Sequence, residues 1–167
     1  MCGGANAASA QGDSRNVSIT LRAYNRPILL DTMVTWKEVL ATPAETFTAA
    51  RHVLDSLKIP IATADSAHGL LASGGFFGRT KLAGHQMAEW LRCGGSMTGD
   101  NAATFRLQIA YVVYVDSVSG GSSRVGVALV ASGDAVEGAS KPPVQCYSTG
   151  FLETYIIKMV QLRSAKI

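Results

Sequence analysis

Residues 105–131, FRLQIAYVVYVDSVSGGSSRVGVALVA, contain two apolar runs joined by a short polar turn, and this stretch decides the fold. In the first run, alternate positions that share one face are all apolar: Phe105, Leu107, Ile109, Tyr111, Val113 and Val115. Polar side chains fall on the other face, at Arg106, Gln108 and Asp116. Such alternation is typical of a β-strand. The glycine- and serine-rich turn at 119–123 returns the chain through Val125, Val127, Leu129 and Ala131, which predicts a long antiparallel hairpin.

Two helices are predicted, one before this hairpin in the chain and one after it. Thr42 is suited to cap the first helix, Pro43 fits its first position, and Glu45 completes a capping box. Apolar residues then recur at helical spacing until Pro60 ends the run. The second helix is predicted from about Gly150 to Arg163, after a lysine and two prolines.

Further strands are predicted at 17–23, 59–64 and 70–77, while 82–93 is compatible with either a helix or a strand. Strands segregated from helices in this order are typical of the α+β class. We therefore expect a single domain over residues 17–167, an antiparallel β-sheet packed on one face by two helices.

Composition excludes several classes of protein. The 167 residues suit one domain, and no apolar run approaches the ~20 residues that span a bilayer. The net charge is +3, but the basic residues form no run, which argues against nucleic-acid binding. The sequence has no glycine-rich phosphate loop and no nucleophile elbow, so we expect neither an enzyme nor a cofactor. His85 and Glu89 would share a helical face, but two ligands are too few to predict a metal site.

Three cysteines occur, at Cys2, Cys93 and Cys146, without a Cys-x-x-Cys pair. Cys93 and Cys146 both lie at predicted strand or strand-end positions, which favours a disulfide formed in an oxidising compartment. The alternative is a pair of buried thiols in a cytosolic protein.

Residues 1–16 are mostly small and polar, and we expect them to form a flexible tether. Cys2 followed by such a tether resembles the mature start of a bacterial lipoprotein, in which the first cysteine carries the acyl chains. That resemblance implies lipidation at Cys2 and attachment to the bilayer. Because Met1 directly precedes Cys2 and no lipobox is present, the alternative is an ordinary exposed thiol.

The unit from Glu45 to Phe77, an amphipathic helix followed by strand, turn and strand, resembles the helix-grip domains of BamC-like lipoproteins. Residues 91–94 and 144–153 are similar to bacterial lipoproteins of the same broad type. The resemblance covers about residues 43–163. It implies a non-catalytic domain of the bacterial envelope that contacts other proteins.

Two stretches are candidate partner-binding surfaces. Phe76 and Phe77 stand beside Arg79, and only one of two adjacent side chains in a strand can face the core. Tyr24 and Arg26 are residue types favoured at interfaces. In both stretches the core is an alternative destination for the apolar side chains.

Three functions are compatible with these observations. The first is a membrane-tethered periplasmic lipoprotein that serves as an accessory subunit of a larger membrane protein complex. The second is a binder of a small apolar molecule, in a pocket between sheet and helix lined by residues such as Phe105 and Tyr111. The third is an enzyme whose site has no sequence signature.

Overall fold

A computed structural model describes residues 17–97, 99–136 and 141–166 and shows an α+β fold, which confirms the predicted class. The α-helices are α1 (Pro43–Ser56), α2 (Met87–Trp90), α3 (Asn101–Thr104) and α4 (Phe151–Ser164). The strands, in chain order, are β1 (Ser18–Ile19), β2 (Ile28–Leu29), β3 (Thr35–Val39), β4 (Thr63–Asp65), β5 (Leu70–Gly78), β6 (Lys81–Leu82), β7 (His85–Gln86), β8 (Leu91–Arg92), β9 (Gly95–Ser96), β10 (Gly99–Asp100), β11 (Arg106–Ser117), β12 (Ser123–Asp134) and β13 (Val144–Ser148).

The centre of the molecule is a seven-stranded antiparallel sheet. Its strands follow the order β4-β5-β11-β12-β13-β8, and β3 pairs with the other end of β12. The hairpin predicted from the sequence supplies the two longest strands, β11 and β12, whose ladder runs from the pair Arg106–Asp134 to the pair Ser117–Ser123. The hairpin prediction is therefore confirmed.

Both long helices pack on one face of the sheet. They contact each other and cover the apolar face predicted for the hairpin, which is buried at Leu107, Ile109, Tyr111, Val113, Val125, Val127 and Leu129. The capping box of α1 is present: Thr42 Oγ1 accepts a hydrogen bond from the Glu45 backbone N–H, and Glu45 Oε2 accepts one from the Thr42 N–H. The second predicted helix is also confirmed, because α4 begins directly after Gly150.

The N-terminal segment covers the other face of the sheet. Ile19, Leu21 and Leu30 are buried there against the even-numbered side chains of β11 and β12. The strand predicted over 17–23 is wrong for most of its length, since only Ser18–Ile19 forms a ladder, with β2. The alternation in its sequence reflects burial of one side against the sheet rather than pairing within it.

Two other predictions need correction. The strand predicted over 59–64 is reduced to β4, because the chain first crosses from α1 to the sheet. The stretch 82–93 is neither one helix nor one strand, and instead contains part of the β6–β7 ladder, α2 and β8.

The strand predicted over 70–77 is confirmed as β5 and contains a bulge. The β11 register shifts there, so that Gly74 and Gly75 together lie opposite Ala110. In the part of the chain that the structure describes, β4 pairs with β5 only as far as Ala72. The outer edge of residues 73–78 therefore has no strand beside it there.

Candidate functional site

A disulfide joins Cys93 to Cys146, as predicted. Cys146 lies within β13, Cys93 follows β8 directly, and these two strands are neighbours in the sheet. Both cysteines are buried, and 53 positions separate them in the chain. Disulfides persist in oxidising compartments, so the bond fits an extracytoplasmic environment.

Beside this bond lies an open cleft of about 820 Å³, which we call the basic cleft. Its lining residues come from five short stretches of the chain: Arg79, Thr80, Gly95, Ser96, Asn101, Ala103, Thr104, Phe105, Ala135, Val136, Lys141, Pro142 and Val144. Two of these side chains are cationic and none is acidic. The cleft therefore offers positive charge, hydroxyl groups and apolar surface to a bound molecule.

A second hollow of about 420 Å³ shares Arg79, Ala135 and Val136 with the basic cleft. It adds Arg22, Arg106 and Asp134 to the lining. Because the two hollows share three lining residues, they lie side by side and together make one concave surface.

The disulfide ties together the two walls of the basic cleft. One wall contains Gly95 and Ser96, which follow Cys93 closely, and the other contains Val144, which precedes Cys146 by two residues. Asn101 reinforces the first wall, since its side-chain Nδ2 donates to the Cys93 carbonyl oxygen at 3.2 Å and its backbone N–H donates to the Gly94 carbonyl oxygen at 3.0 Å. The spacing of the walls is thus set by a covalent bond as well as by strand pairing.

The two adjacent phenylalanines face opposite ways. Phe76 packs on the helix side of the sheet, with its ring edge-on to Tyr111 at a centroid distance of 6.3 Å. Phe77 is 53% exposed, and the Arg106 guanidinium carbon lies 4.0 Å from the centroid of its ring. This confirms that only one of the two side chains faces the core. We call Phe77, Arg79 and Arg106 the aromatic–basic patch.

Cationic side chains outnumber carboxylates among the lining residues that the structure describes. Asp134 is the one carboxylate in that described lining, and its Oδ2 already pairs with Arg22 Nη1 at 2.9 Å. Among residues 17–97, 99–136 and 141–166, no carboxylate oxygen lies within 4.0 Å of a charged nitrogen of Arg79, Arg106 or Lys141. A cation stacked on an aromatic ring keeps its attraction for an anion, so the surface favours an acidic partner.

The second predicted surface lies apart from the first. Tyr24 is half-buried and donates its hydroxyl to the Cys146 carbonyl oxygen at 3.2 Å, so it lies over β13. Burial and the neighbouring Tyr147 raise the pKa of Tyr24 to about 12. Two strands separate β13 from β5, which places Tyr24 roughly 14 Å from the strand of Phe77. Arg26 is exposed near Tyr24, and the structure does not bring these two residues to the aromatic–basic patch.

The space between helices and sheet is nearly filled. The cavity there measures about 10 Å³ and is lined by Tyr111, Phe76, Glu153 and apolar side chains. That volume holds one water molecule at most. Phe105 does not line this cavity and contributes instead to the basic cleft.

Glu153 is a buried carboxyl group at this internal cavity. It is 5% exposed, and its Oε2 finds no hydrogen-bond partner in the described residues. Burial raises the pKa of this carboxyl above its ordinary value, while hydrogen bonding from Ser148 acts in the opposite direction. Glu153 is therefore a buried carboxyl group with one oxygen unpaired within the described part of the chain, in a mainly apolar interface between helix and sheet.

His85 Nδ1 lies 3.1 Å from Glu89 Oε2, and the part of the chain that the structure describes contains no group of three potential metal ligands. No helix in that part is long and apolar enough to cross a bilayer. Cys2, the predicted lipidation site, lies outside the described residues.

Comparison with known proteins adds no relative: no family model matches the chain, and no curated protein matches it. Arg79 was predicted from the sequence as a partner-binding residue, whereas Lys141 and Arg106, which line the same concave surface, were not predicted. Their only sequence signals are an arginine at the polar side of β11 and a lysine before two prolines, and neither shows that the residues meet in space.

Proposed function

We propose that the chain is a non-catalytic accessory subunit that binds another protein of a membrane-associated complex. The observation that carries this proposal is the exposed ring of Phe77, on which Arg106 stacks, while Arg79 lines the same hollow as Arg106. Aromatic and arginine side chains dominate the binding energy of protein interfaces. A stacked ring is also held in place before a partner arrives, which reduces the entropy lost on binding.

The proposed location is the periplasm of a bacterial envelope, with Cys2 as a lipid anchor. The Cys93–Cys146 disulfide supports an oxidising compartment, and the resemblance to BamC-like lipoproteins supports the envelope. Intact-mass measurement on the native protein tests the anchor. A diacylglyceryl-type addition at Cys2 without Met1 is expected, and an unmodified Cys2 behind Met1 would contradict it.

The alternative function, binding a small apolar molecule between helix and sheet, has less support. The cavity there is about 10 Å³, so α4 would have to move away from the sheet to admit a ligand. No such movement is needed for contact at the aromatic–basic patch.

Phe77→Ala tests the proposed function, with Phe151→Ala as a matched control. Phe151 is 69% exposed at the start of α4, so the control removes the same side chain from a different surface. Tagged wild-type protein and both variants are isolated from the native membrane, and co-purifying proteins are quantified. We expect one partner to remain with the wild type and with Phe151→Ala and to be lost from Phe77→Ala, about 30-fold weaker if Phe77 is a binding hot spot.

Equal melting temperatures of the three proteins would show that the loss concerns binding rather than folding. Retention of the partner by Phe77→Ala would refute the assignment of this surface.

A further inference from the structure

We propose that the basic cleft receives an extended acidic segment of the partner protein. This inference rests on the proposed function and names the chemistry of the segment that the partner would contribute. The cleft is continuous with the aromatic–basic patch through Arg79, which belongs to both. One bound partner could therefore contact Phe77 and place a segment in the cleft at the same time.

Charge complementarity is the first argument. Among the lining residues that the structure describes, four side chains are cationic, Arg22, Arg79, Arg106 and Lys141, and one is a carboxylate, Asp134. Asp134 is already paired with Arg22, so three cations remain for an incoming ligand. A surface with this balance attracts carboxylates and disfavours basic partners.

The distribution of the charges favours a peptide over one phosphate group. A single phosphate is held by several donors that converge on one point. Here Lys141 lines only the hollow of about 820 Å³, Arg22 and Arg106 line only the hollow of about 420 Å³, and Arg79 lines both. The larger hollow also has apolar lining at Phe105, Val136 and Pro142. Cations in both hollows, together with this apolar lining, match a chain in which acidic and aliphatic residues are mixed.

Hydroxyl groups and a fixed geometry complete the match. Thr80 and Thr104 line the cleft, and their hydroxyl groups can hydrogen-bond the backbone of an extended chain. The disulfide holds the two walls at a fixed separation, so a ligand need not order them on binding.

The test measures binding of a fluorescently labelled peptide in which Glu alternates with Val and Ser, by anisotropy, to the oxidised protein. A peptide with Gln in place of Glu is the uncharged control. Arg79→Glu and Lys141→Glu are compared with Lys158→Glu, which changes the net charge equally but lies exposed on α4. We expect each reversal in the cleft to weaken binding about fivefold, and Lys158→Glu to have little effect.

Salt gives an independent measure. Raising the ionic strength from about 0.1 M to about 1 M shortens the screening length from about 10 to about 3 Å, so the Glu peptide should dissociate. The inference is overturned if the Gln peptide binds equally well, or if Lys158→Glu weakens binding as much as Arg79→Glu. It is also overturned if millimolar inorganic phosphate displaces the peptide, or if only phosphatidylglycerol vesicles bind.

These outcomes are separable from failure of the proposed function. If Phe77→Ala loses the partner while reversals in the cleft change neither peptide nor partner binding, the accessory role stands and the acidic segment is refuted. If Phe77→Ala retains the partner, the proposed function fails at its own surface.

Discussion

Loss of the Cys93–Cys146 disulfide should destabilise the protein by an amount that depends on the length of the loop it closes. Cys93 and Cys146 are 53 residues apart, and a cross-link over a loop of that length removes conformational entropy from the unfolded state worth about 4 kcal/mol. For a domain of this size each kcal/mol shifts the melting temperature by about 2–4 °C. Reduction should therefore lower the melting temperature by about 8–16 °C.

The assay is thermal unfolding followed by circular dichroism, with and without a thiol reductant. The double variant Cys93→Ala/Cys146→Ala is the control, because it lacks the bond in both conditions. We expect the reduced wild type and the double variant to melt together, well below the oxidised wild type. A shift smaller than about 2 °C, or an equal effect of reductant on the double variant, would refute the reasoning, because the entropic contribution would then be absent or would come from elsewhere.

Three further outcomes follow from the packing. Phe76→Ala should lower the free energy of unfolding by about 3 kcal/mol, whereas Phe77→Ala should lower it by less than about 1 kcal/mol. Urea unfolding of both variants measures these values, and a larger loss for Phe77→Ala would show that Phe77, not Phe76, faces the core. Burial raises the pKa of the Glu153 carboxyl above its ordinary value of 4.5. In the native state this carboxyl therefore stays protonated at pH values at which it is ionised in the unfolded state, so the stability of the wild type falls as the pH rises above 4.5. Glu153→Gln should therefore gain stability relative to the wild type more at pH 7 than at pH 4, and an equal difference at both pH values would contradict this. Gly126→Ala would place a methyl group 2.6 Å from a ring carbon of Trp36, the residue opposite it in the β3–β12 ladder, and should lower the free energy of unfolding by about 1–3 kcal/mol. Gly74→Ala, whose added methyl group meets nothing within 4 Å, should be tolerated. Similar melting temperatures for these two variants would contradict the prediction.

The elements that could be predicted from the sequence are those whose signals are local. The start of α1 depends on Thr42, Pro43 and Glu45, which are consecutive or nearly so, and the hairpin depends on alternation within each of its strands. The disulfide could also be predicted, because the sequence has only three cysteines and one of them, Cys2, lies far from the predicted strands.

The N-terminal segment and the basic cleft could not be predicted in the same way. Alternation at 17–23 correctly indicates which side chains are buried, but it does not say whether the segment joins the sheet or lies across it. The cleft depends on Arg79 and Lys141, which are far apart in the chain and meet only because β5 and β13 belong to one sheet. Tyr24 shows the reverse case, a residue of interface type whose hydroxyl is used inside the molecule.

The bulge in β5 has a consequence for the behaviour of the protein at high concentration. An unpaired edge strand is a template on which a second molecule can add its own strand, and growth by this route ends in aggregation. Gly74 and Gly75 break the regular repeat of donors and acceptors along the unpaired edge, and exposed Arg79 and Lys81 follow the strand as like charges that repel another copy. The bulge and these two charges therefore disfavour pairing of this edge with a second copy, although Phe77 is exposed on the same strand.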